Sequence, residues 1–280
     1  MNFTRRRLFT LAAPVIVAGG GYGRFFEPGW LVETEKNVKI GGRLPGRPLR
    51  ILHLSDLHAS AVVPLSFLLN SFQMGAAAKP DIICLTGDFV TTSEDFDHEL
   101  YRQHLAWLAS VAPTFAVLGN HDGGAWAARL GLPNSRLVAS LLLRSGIELL
   151  HNRSKDITVG GSTVRLIGIG DYWSNQSDGA AAYQTVPNTA ADLTLALNHN
   201  PDAKLEFRDR HWDLMLCGHT HGGQVKIPLF GAPYPNVRDR RYCEGLVPYG
   251  QGMVHITRGV GNVDGLRFNC RPEVSMLVVA

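Results

Sequence analysis

The sequence predicts an α/β fold, a mixed β-sheet structure with helices packed outside it, and three observations lead there. Between residues 50 and 118, short apolar runs alternate with segments of helical length, the pattern of parallel strands joined by right-handed crossovers. From residue 147 onward the chain is rich in strand-like runs. Five of the apolar runs end in Asp, Asn or His, which puts polar groups at the strand ends where open α/β sheets bind ligands.

Composition narrows the class. The 280 residues are 45% hydrophobic and 18% charged, the balance of a folded chain long enough to bury a full core. A net charge of +3 is small, and beyond the N-terminus Lys and Arg form no long run. No aromatic residues interleave with them as a stacking platform, so a nucleic-acid partner is not expected. The mixed-sign stretch Arg238-Asp239-Arg240-Arg241 reads as a solvated loop, with phosphate steering as the alternative. Cys84, Cys217, Cys243 and Cys270 show no C-x-x-C spacing, which argues against a zinc knuckle or redox pair. Cys84 and Cys217 read as small buried hydrophobes, and Cys243 and Cys270 could pair in an exported domain.

The N-terminus reads as an address. Arg5, Arg6 and Arg7 precede an uncharged stretch, 8–23, of about signal-peptide length and short for a membrane span. Arg6-Arg7-Leu8-Phe9 resembles the twin-arginine export signal R-R-x-F. No clean A-x-A site follows, so the segment is either a signal or a retained N-terminal anchor, with a basic, apolar helix packed on the domain as the alternative. Residues 1–28 are therefore set outside the fold, 29–44 read as an extended lead-in, and 45–280 as one catalytic domain.

Within that domain, 50–54 reads as a buried strand ending at Ser55-Asp56-Leu57-His58. Residues 63–78 follow as a helix, with Leu65, Leu68, Leu69 and Phe72 at helical spacing and Pro64 early. A second strand, 81–86, ends in Gly87-Asp88; a helix over 96–110 and a strand over 114–118 lead to Gly119-Asn120-His121-Asp122. Further strands are expected at 147–150, 164–169, 193–197, 212–217, 224–227, 253–257 and 274–279, with a helix over 201–210 opened by Pro201.

The ligand-type residues carry the chemistry. Asp56 and His58 lie two apart, as do His219 and His221; in an extended segment both members of such a pair face one way. With Asp88, Asn120 and His199 they make two carboxylates, four imidazoles and an amide, with His121 in reserve. Mixed nitrogen and oxygen donors suit Mn, Zn, Fe or Ni better than Ca or Mg. Seven ligands exceed one tetrahedral ion but suit two if a carboxylate bridges. Two ions roughly 3.5–4 Å apart clamp an in-line displacement at phosphorus and lower the pKa of a water held between them. Lone histidines are usually satisfied by hydrogen bonds; His53, His151, His211 and His255 are read that way. Gly222-Gly223 could cradle phosphate or form an ordinary turn.

Asp56-Leu57-His58, Gly87-Asp88, Gly119-Asn120-His121-Asp122 and Gly218-His219-Thr220-His221 together resemble the calcineurin-like metallophosphoesterases. His199-Asn200-Pro201-Asp202, the run GHTHGGQVKIPLFG at 218–231 and TRGVGN at 257–262 are similar to a narrower group of exported or membrane-attached bacterial enzymes. The resemblance implies a four-layer α/β/β/α sandwich of two mixed sheets. It implies one metal on Asp56, His58, Asp88 and His221, and a second on Asp88, Asn120, His199 and His219, with Asp88 as the bridge. A metal-bridging hydroxide would attack, His121 would protonate the leaving oxygen or bind the phosphoryl group, and Asp122 would orient His121 and keep it charged. The implied reaction is hydrolysis of phosphodiester or pyrophosphate bonds in a small-molecule, envelope- or lipid-linked substrate, by a protein that meets the twin-arginine machinery and associates with the membrane. A broad phosphomonoesterase and a non-catalytic metal-binding envelope protein are the alternatives. Trp126, Leu130, Leu132, Leu137, Leu141 and Leu142 read first as a helix's core face and second as a lipid groove; Tyr172 and Trp173 could form a rim.

Overall fold

Twelve strands among the described residues divide into two six-stranded sheets. The computed structural model describes residues 19–42, 44–93 and 96–280. In chain order the strands are β1 (Val32–Val38), β2 (Leu49–Leu54), β3 (Ile82–Thr86), β4 (Thr114–Val117), β5 (Glu148–Leu149), β6 (Arg153–Val159), β7 (Ser162–Gly168), β8 (Leu193–Leu197), β9 (Leu214–Cys217), β10 (Gly245–Tyr249), β11 (Gly252–Ile256) and β12 (Glu273–Val279). The helices are α1 (Leu65–Ala77), α2 (His98–Ala109), α3 (Arg136–Arg144) and α4 (Gly179–Gln184).

One sheet runs β1-β12-β2-β3-β4-β5 and the other β10-β11-β9-β8-β7-β6. Strands β2 to β5 are mutually parallel, and so are β7, β8, β9 and β11. Each sheet therefore gathers the C-terminal ends of its central strands on one edge. The mixed character comes from β12, antiparallel to β2, and from β6 and β10, antiparallel to their neighbours.

Alternation along each strand creates the layers. Leu52 and Leu54 of β2 pack toward α1, α2 and α3 with Leu68, Phe72, Tyr101 and Leu105. Leu49 and Ile51, of opposite parity, face the second sheet and meet Leu195, Leu197, Leu214 and Leu216. Met215 and Cys217 point to the far side, against Phe207, Trp212 and Ala182 of α4. Strands buried on both faces read as continuous apolar runs, which is why the central ones stand out in the sequence. The result is the expected four-layer α/β/β/α sandwich.

Four local expectations change. Residues 201–210 fold as a 3-10 segment, Pro201–Phe207, with Asn200 capping it through the Asp202 N–H. Residues 224–227 are not a strand: Val225 and Ile227 each make one isolated bridge. The domain's sheet begins before residue 45, because β1 pairs with β12 along its whole length. Finally, the part of 1–28 that is described is packed on the domain. Residues 19–25 are helical, the Arg267 N–H donates to the Gly23 carbonyl, and the fully buried Glu27 accepts the N–H groups of Asn269 and Cys270. A buried carboxylate requires such donors. The twin-arginine-like string lies outside the described residues. Among the described residues no helix is long and apolar enough to cross a membrane.

His53 and His255 join the sheets. Their Nδ1 atoms are 2.9 Å apart, one donating to the other, and His53 Nε2 meets Thr86 Oγ1 at 2.8 Å. Burial holds both imidazoles below their ordinary range, His255 at about 4. The unfolded chain then binds more protons than the folded one between pH 6.5 and 4, so stability is full above pH 6.5 and is lost as pH falls toward 4. His255→Gln should flatten that acid limb by about one proton, roughly 1.4 kcal/mol per pH unit. Urea unfolding of metal-stripped protein across this range checks it; parallel limbs for the two proteins would refute it.

Candidate metal centre

All seven predicted ligands lie at the edge where the central strands end. Asp56 and His58 follow β2, Asp88 follows β3, Asn120 follows β4, His199 follows β8, and His219 and His221 follow β9. The two sheets touch there: the His199 Nδ1–H donates to the Thr86 carbonyl at 2.7 Å, across from one sheet to the other. Gly218 makes the contact possible, since a Cβ on it would collide with Ser55 Oγ and the Asp56 carboxylate; at Gly119 a Cβ would strike Asp88.

Three groups of donors converge within 4.8 Å: Asp56, His58 and His221; Asp88, His199 and His219; and His58, Asp88 and His121. Asp88 is central. Its Oδ2 is 3.2 Å from His199 Nε2 and 3.5 Å from His58 Nε2, while its Oδ1 accepts the His121 N–H at 2.9 Å. On one side, His58 Nε2 and His221 Nε2 are 3.2 Å apart, with Asp56 Oδ1 3.3 Å from His221. On the other, His219 Nδ1 is 3.2 Å from His199 Nε2. The buried Asn120 Oδ1 has no protein hydrogen-bond partner.

This donor set fits divalent cations. Burial holds His58 and His219 well below their ordinary range, which keeps the imidazoles neutral with lone pairs free. Burial also opposes a charge on His199, yet Asp88 beside it pushes its pKa up to about 10: this pocket strongly attracts positive charge. The Thr86 carbonyl fixes the His199 tautomer with Nε2 toward Asp88, the second-layer arrangement common around metal-binding histidines. An acceptor such as Asn120 Oδ1, buried without a donor, is costly unless a cation completes it.

The backbone reaches this geometry by a route the spacing did not show. The i, i+2 pairs were expected on extended chain. Instead Asp56, His58, Asp88, His219 and His221 have φ of 53°, 49°, 55°, 69° and 50°, five of the twelve non-glycine residues with positive φ among those described. Each costs of order 1 kcal/mol or more and persists only where surroundings enforce it. The TRGVGN run supplies one enforcing contact: the N–H groups of Val260 and Gly261 donate to the Ser55 and Asp56 carbonyls. Behind it, the fully buried Arg267 donates to the carbonyls of Arg258, Gly259, Gly261 and Cys270.

Asp122 does not orient His121. One of its oxygens accepts the N–H of Asp88 at 2.8 Å and of Gly119 at 2.7 Å, and the other accepts the Phe89 N–H at 2.7 Å. It straps two ligand loops together. The partner of His121 is the Thr91 carbonyl, 3.1 Å from Nδ1. Thr91 Oγ1 also lies 3.3 Å from His58 Nδ1. Thr86, Thr91 and Arg267 stand at no telling spacing, so sequence reasoning passed over them. Gly222 and Gly223 form an ordinary turn, both N–H groups being committed to Thr220. Cys243 and Cys270 are free thiols.

Over the donors opens a cavity of about 560 Å³ whose floor includes Asp88, Asn120, His121, His219 and His221. Its walls include Trp126, Leu130, Trp173, Val225 and Tyr234. The apolar segment after β4 thus divides: Trp126 and Leu130 line the cavity, Leu132, Leu141 and Leu142 are core, and Leu137 is partly exposed. Trp173 stands edge-on to His219 at 4.2 Å, whereas Tyr172 carries Arg238 over its ring. Arg129 is the one Lys or Arg among the described lining residues, held 4.6 Å over Trp126.

Residues 49–223 match the family described as calcineurin-like phosphoesterase. The chain is 40% identical over 277 residues to "Phosphodiesterase YaeI" of Escherichia coli (strain K12), covering 98% of each. It is 28% identical over 290 residues to "Uncharacterized metallophosphoesterase YkuE" of Bacillus subtilis (strain 168), covering 99% of this chain and 96% of that one. To "UDP-2,3-diacylglucosamine pyrophosphatase LpxG" of Chlamydia trachomatis serovar D it is 26% identical over 317 residues, covering 95% and 94%.

Proposed function

The chain belongs to the calcineurin-like phosphoesterase family, and from that premise we propose that this metal-dependent phosphoesterase cleaves phosphodiester or pyrophosphate bonds of an envelope- or lipid-linked substrate. The observation that carries the reading is Asp88, set between two groups of buried imidazoles at the floor of an aromatic-walled cavity. Asp56, His58, Asp88 and His221 would hold one divalent ion, and Asp88, Asn120, His199 and His219 the other. The ion pair, when bound, would acidify water to make a nucleophile and neutralise the phosphoryl charge. His121 faces substrate with Nε2, its Nδ1 being occupied at Thr91, and protonates the leaving oxygen. Trp126, against the His121 ring at 4.4 Å, restricts that imidazole and shields it from water.

Two features favour a diester or pyrophosphate over a monoester. The cavity volume suits a substrate with groups on both sides of phosphorus. A single exposed guanidinium, Arg129, matches one further anionic group and not a dianionic terminus already neutralised below it. The names of the Escherichia coli and Chlamydia relatives, a phosphodiesterase and a UDP-2,3-diacylglucosamine pyrophosphatase, agree with this choice. For location, Arg5 to Arg7 with the uncharged stretch 8–23 supports an export signal or N-terminal anchor, with the catalytic domain facing the envelope.

Initial rates on bis-aryl and mono-aryl phosphates with Mn²⁺ or Zn²⁺ test the proposal. The diester should be the faster substrate; faster monoester turnover would defeat it. Arg129→Ala should lower kcat/KM about tenfold on a nucleoside-diphosphate-linked substrate, the scale of one charge-assisted hydrogen bond. The bis-aryl phosphate, which has no second phosphoryl group, should respond less; equal losses on both would remove Arg129 from substrate recognition.

A further inference from the structure

The loop that walls the cavity also carries side chains that none of the described residues covers. The N–H of Ile227 donates to the Gly231 carbonyl and that of Gly231 to the Ile227 carbonyl, both at 2.9 Å, closing a tight turn. At its tip Leu229 is wholly exposed with φ of 69°, and Phe230 is 82% exposed. A left-handed leucine is strained, and among the described residues no contact repays this one.

The turn sits beside the start of the described chain. The Lys226 N–H donates to the Phe268 carbonyl at 2.8 Å, and Asn269 Nδ2 donates to the Lys226 carbonyl at 3.0 Å. The other flank of the same 267–269 strip receives residues 19–25: Tyr22 packs edge-on to Phe268 and the Gly23 carbonyl accepts the Arg267 N–H. Just beyond, Phe25, Phe26 and Trp30 are 78%, 69% and 53% exposed. Cations accompany them. Arg24 lies 5.7 Å from the Phe25 ring and Arg271 4.0 Å from the Trp30 ring. Arg240 reaches the carbonyls of Ala232 and Pro233. Exposed aromatic and aliphatic side chains bordered by guanidinium groups match the boundary between acyl chains and anionic headgroups.

We propose that Leu229 and Phe230, with Phe25, Phe26 and Trp30, form a docking face for an anionic lipid bilayer. Three observations choose a bilayer over a second copy of the chain: the bordering cations, which would repel one another across a twofold contact; the uncharged sequence 8–18 immediately preceding this face; and the cavity wall, to which Val225, Pro233 and Tyr234 of the same loop contribute. A docked face brings the cavity mouth to headgroup level, where the phosphoester of a lipid lies. The inference rests on the lipid-linked reading above and adds the surface that delivers such a substrate.

The test uses the full chain with its own N-terminus and vesicles of phosphatidylethanolamine and phosphatidylglycerol. Leu229→Ser with Phe230→Ser should reduce vesicle partition about tenfold or more, and salt should weaken binding by the unaltered protein. Turnover of a soluble bis-aryl phosphate should be the same in both, showing an intact fold. Equal partition of the two proteins overturns the proposal. So does a dimer of the unaltered protein that the double substitution dissociates without changing vesicle binding. If partition falls as expected while neither protein turns over the soluble diester, the docking face stands and the assigned reaction fails.

Discussion

Asp88→Asn is expected to fold normally yet lose phosphodiester turnover by a factor on the order of a thousand or more. Losing a residue that only orients a metal ligand costs roughly 10–100-fold; Asp88 faces both donor groups and should cost more. The substitution isolates charge from shape. Asp88 has φ of 55°, a conformation that Asn tolerates about as well as Asp, and the Asn oxygen can still accept the His121 N–H. What disappears is the negative charge that burial opposes and that His199 and His121 hold well below the usual carboxylate range. Metal content should fall together with the rate, from two ions per chain to one or none. An unchanged rate, or full metal occupancy with no activity, would take the bridging role away from Asp88.

The legible part of the sequence is the doubly buried part. Strands such as β3, IICLT, and β8, LTLAL, are buried throughout and apolar but for one threonine each because helices or the other sheet cover both faces. The strands the sequence hid are sheet edges. VETEKNV of β1 and RSKDITV of β6 alternate in exposure, and GLVPY of β10 carries Pro248, a residue edges tolerate and sheet centres do not. Edges keep charge and proline to discourage further pairing, so they look like loops.

The site divides in the same way. Its ligands were visible because Asp, His and Asn at five strand ends have little other reason to be there. Their spacing, however, misled about conformation. The i, i+2 pairs meet through left-handed residues, which spacing cannot reveal, since the strain depends on distant contacts such as Gly218 against Ser55 and the Val260 N–H on the Ser55 carbonyl. Backbone carbonyls that set a tautomer, at Thr86 and Thr91, leave no mark on side-chain identity at all.

Asp122 tests the difference between these two kinds of information. Read by adjacency, it charges and orients His121; read by geometry, it holds the Asp88 loop to the Asn120 loop through three N–H groups. The two roles predict different failures. Asp122→Ala leaves three buried donors without an acceptor, at roughly 1–3 kcal/mol each; a loss in the lower part of that sum, about 3–5 kcal/mol, is expected as the loops relax toward other partners. That is a large share of the roughly 5–15 kcal/mol that stabilises a typical domain. Tyr101, whose hydroxyl donates to the Phe89 carbonyl at 3.0 Å, keeps part of the loop anchored, so the variant should fold in the cold with weakened metal binding. Asp122→Asn should lose less, because its remaining oxygen still serves some of the donors. In both variants the pH–rate profile of the metal-saturated enzyme should keep its shape while urea stability drops. An orienting carboxylate would behave oppositely: losing it would change that profile, with little effect on unfolding. Thr91→Ala cannot imitate the orienting outcome, since the contact to His121 comes from the main-chain carbonyl and survives the substitution.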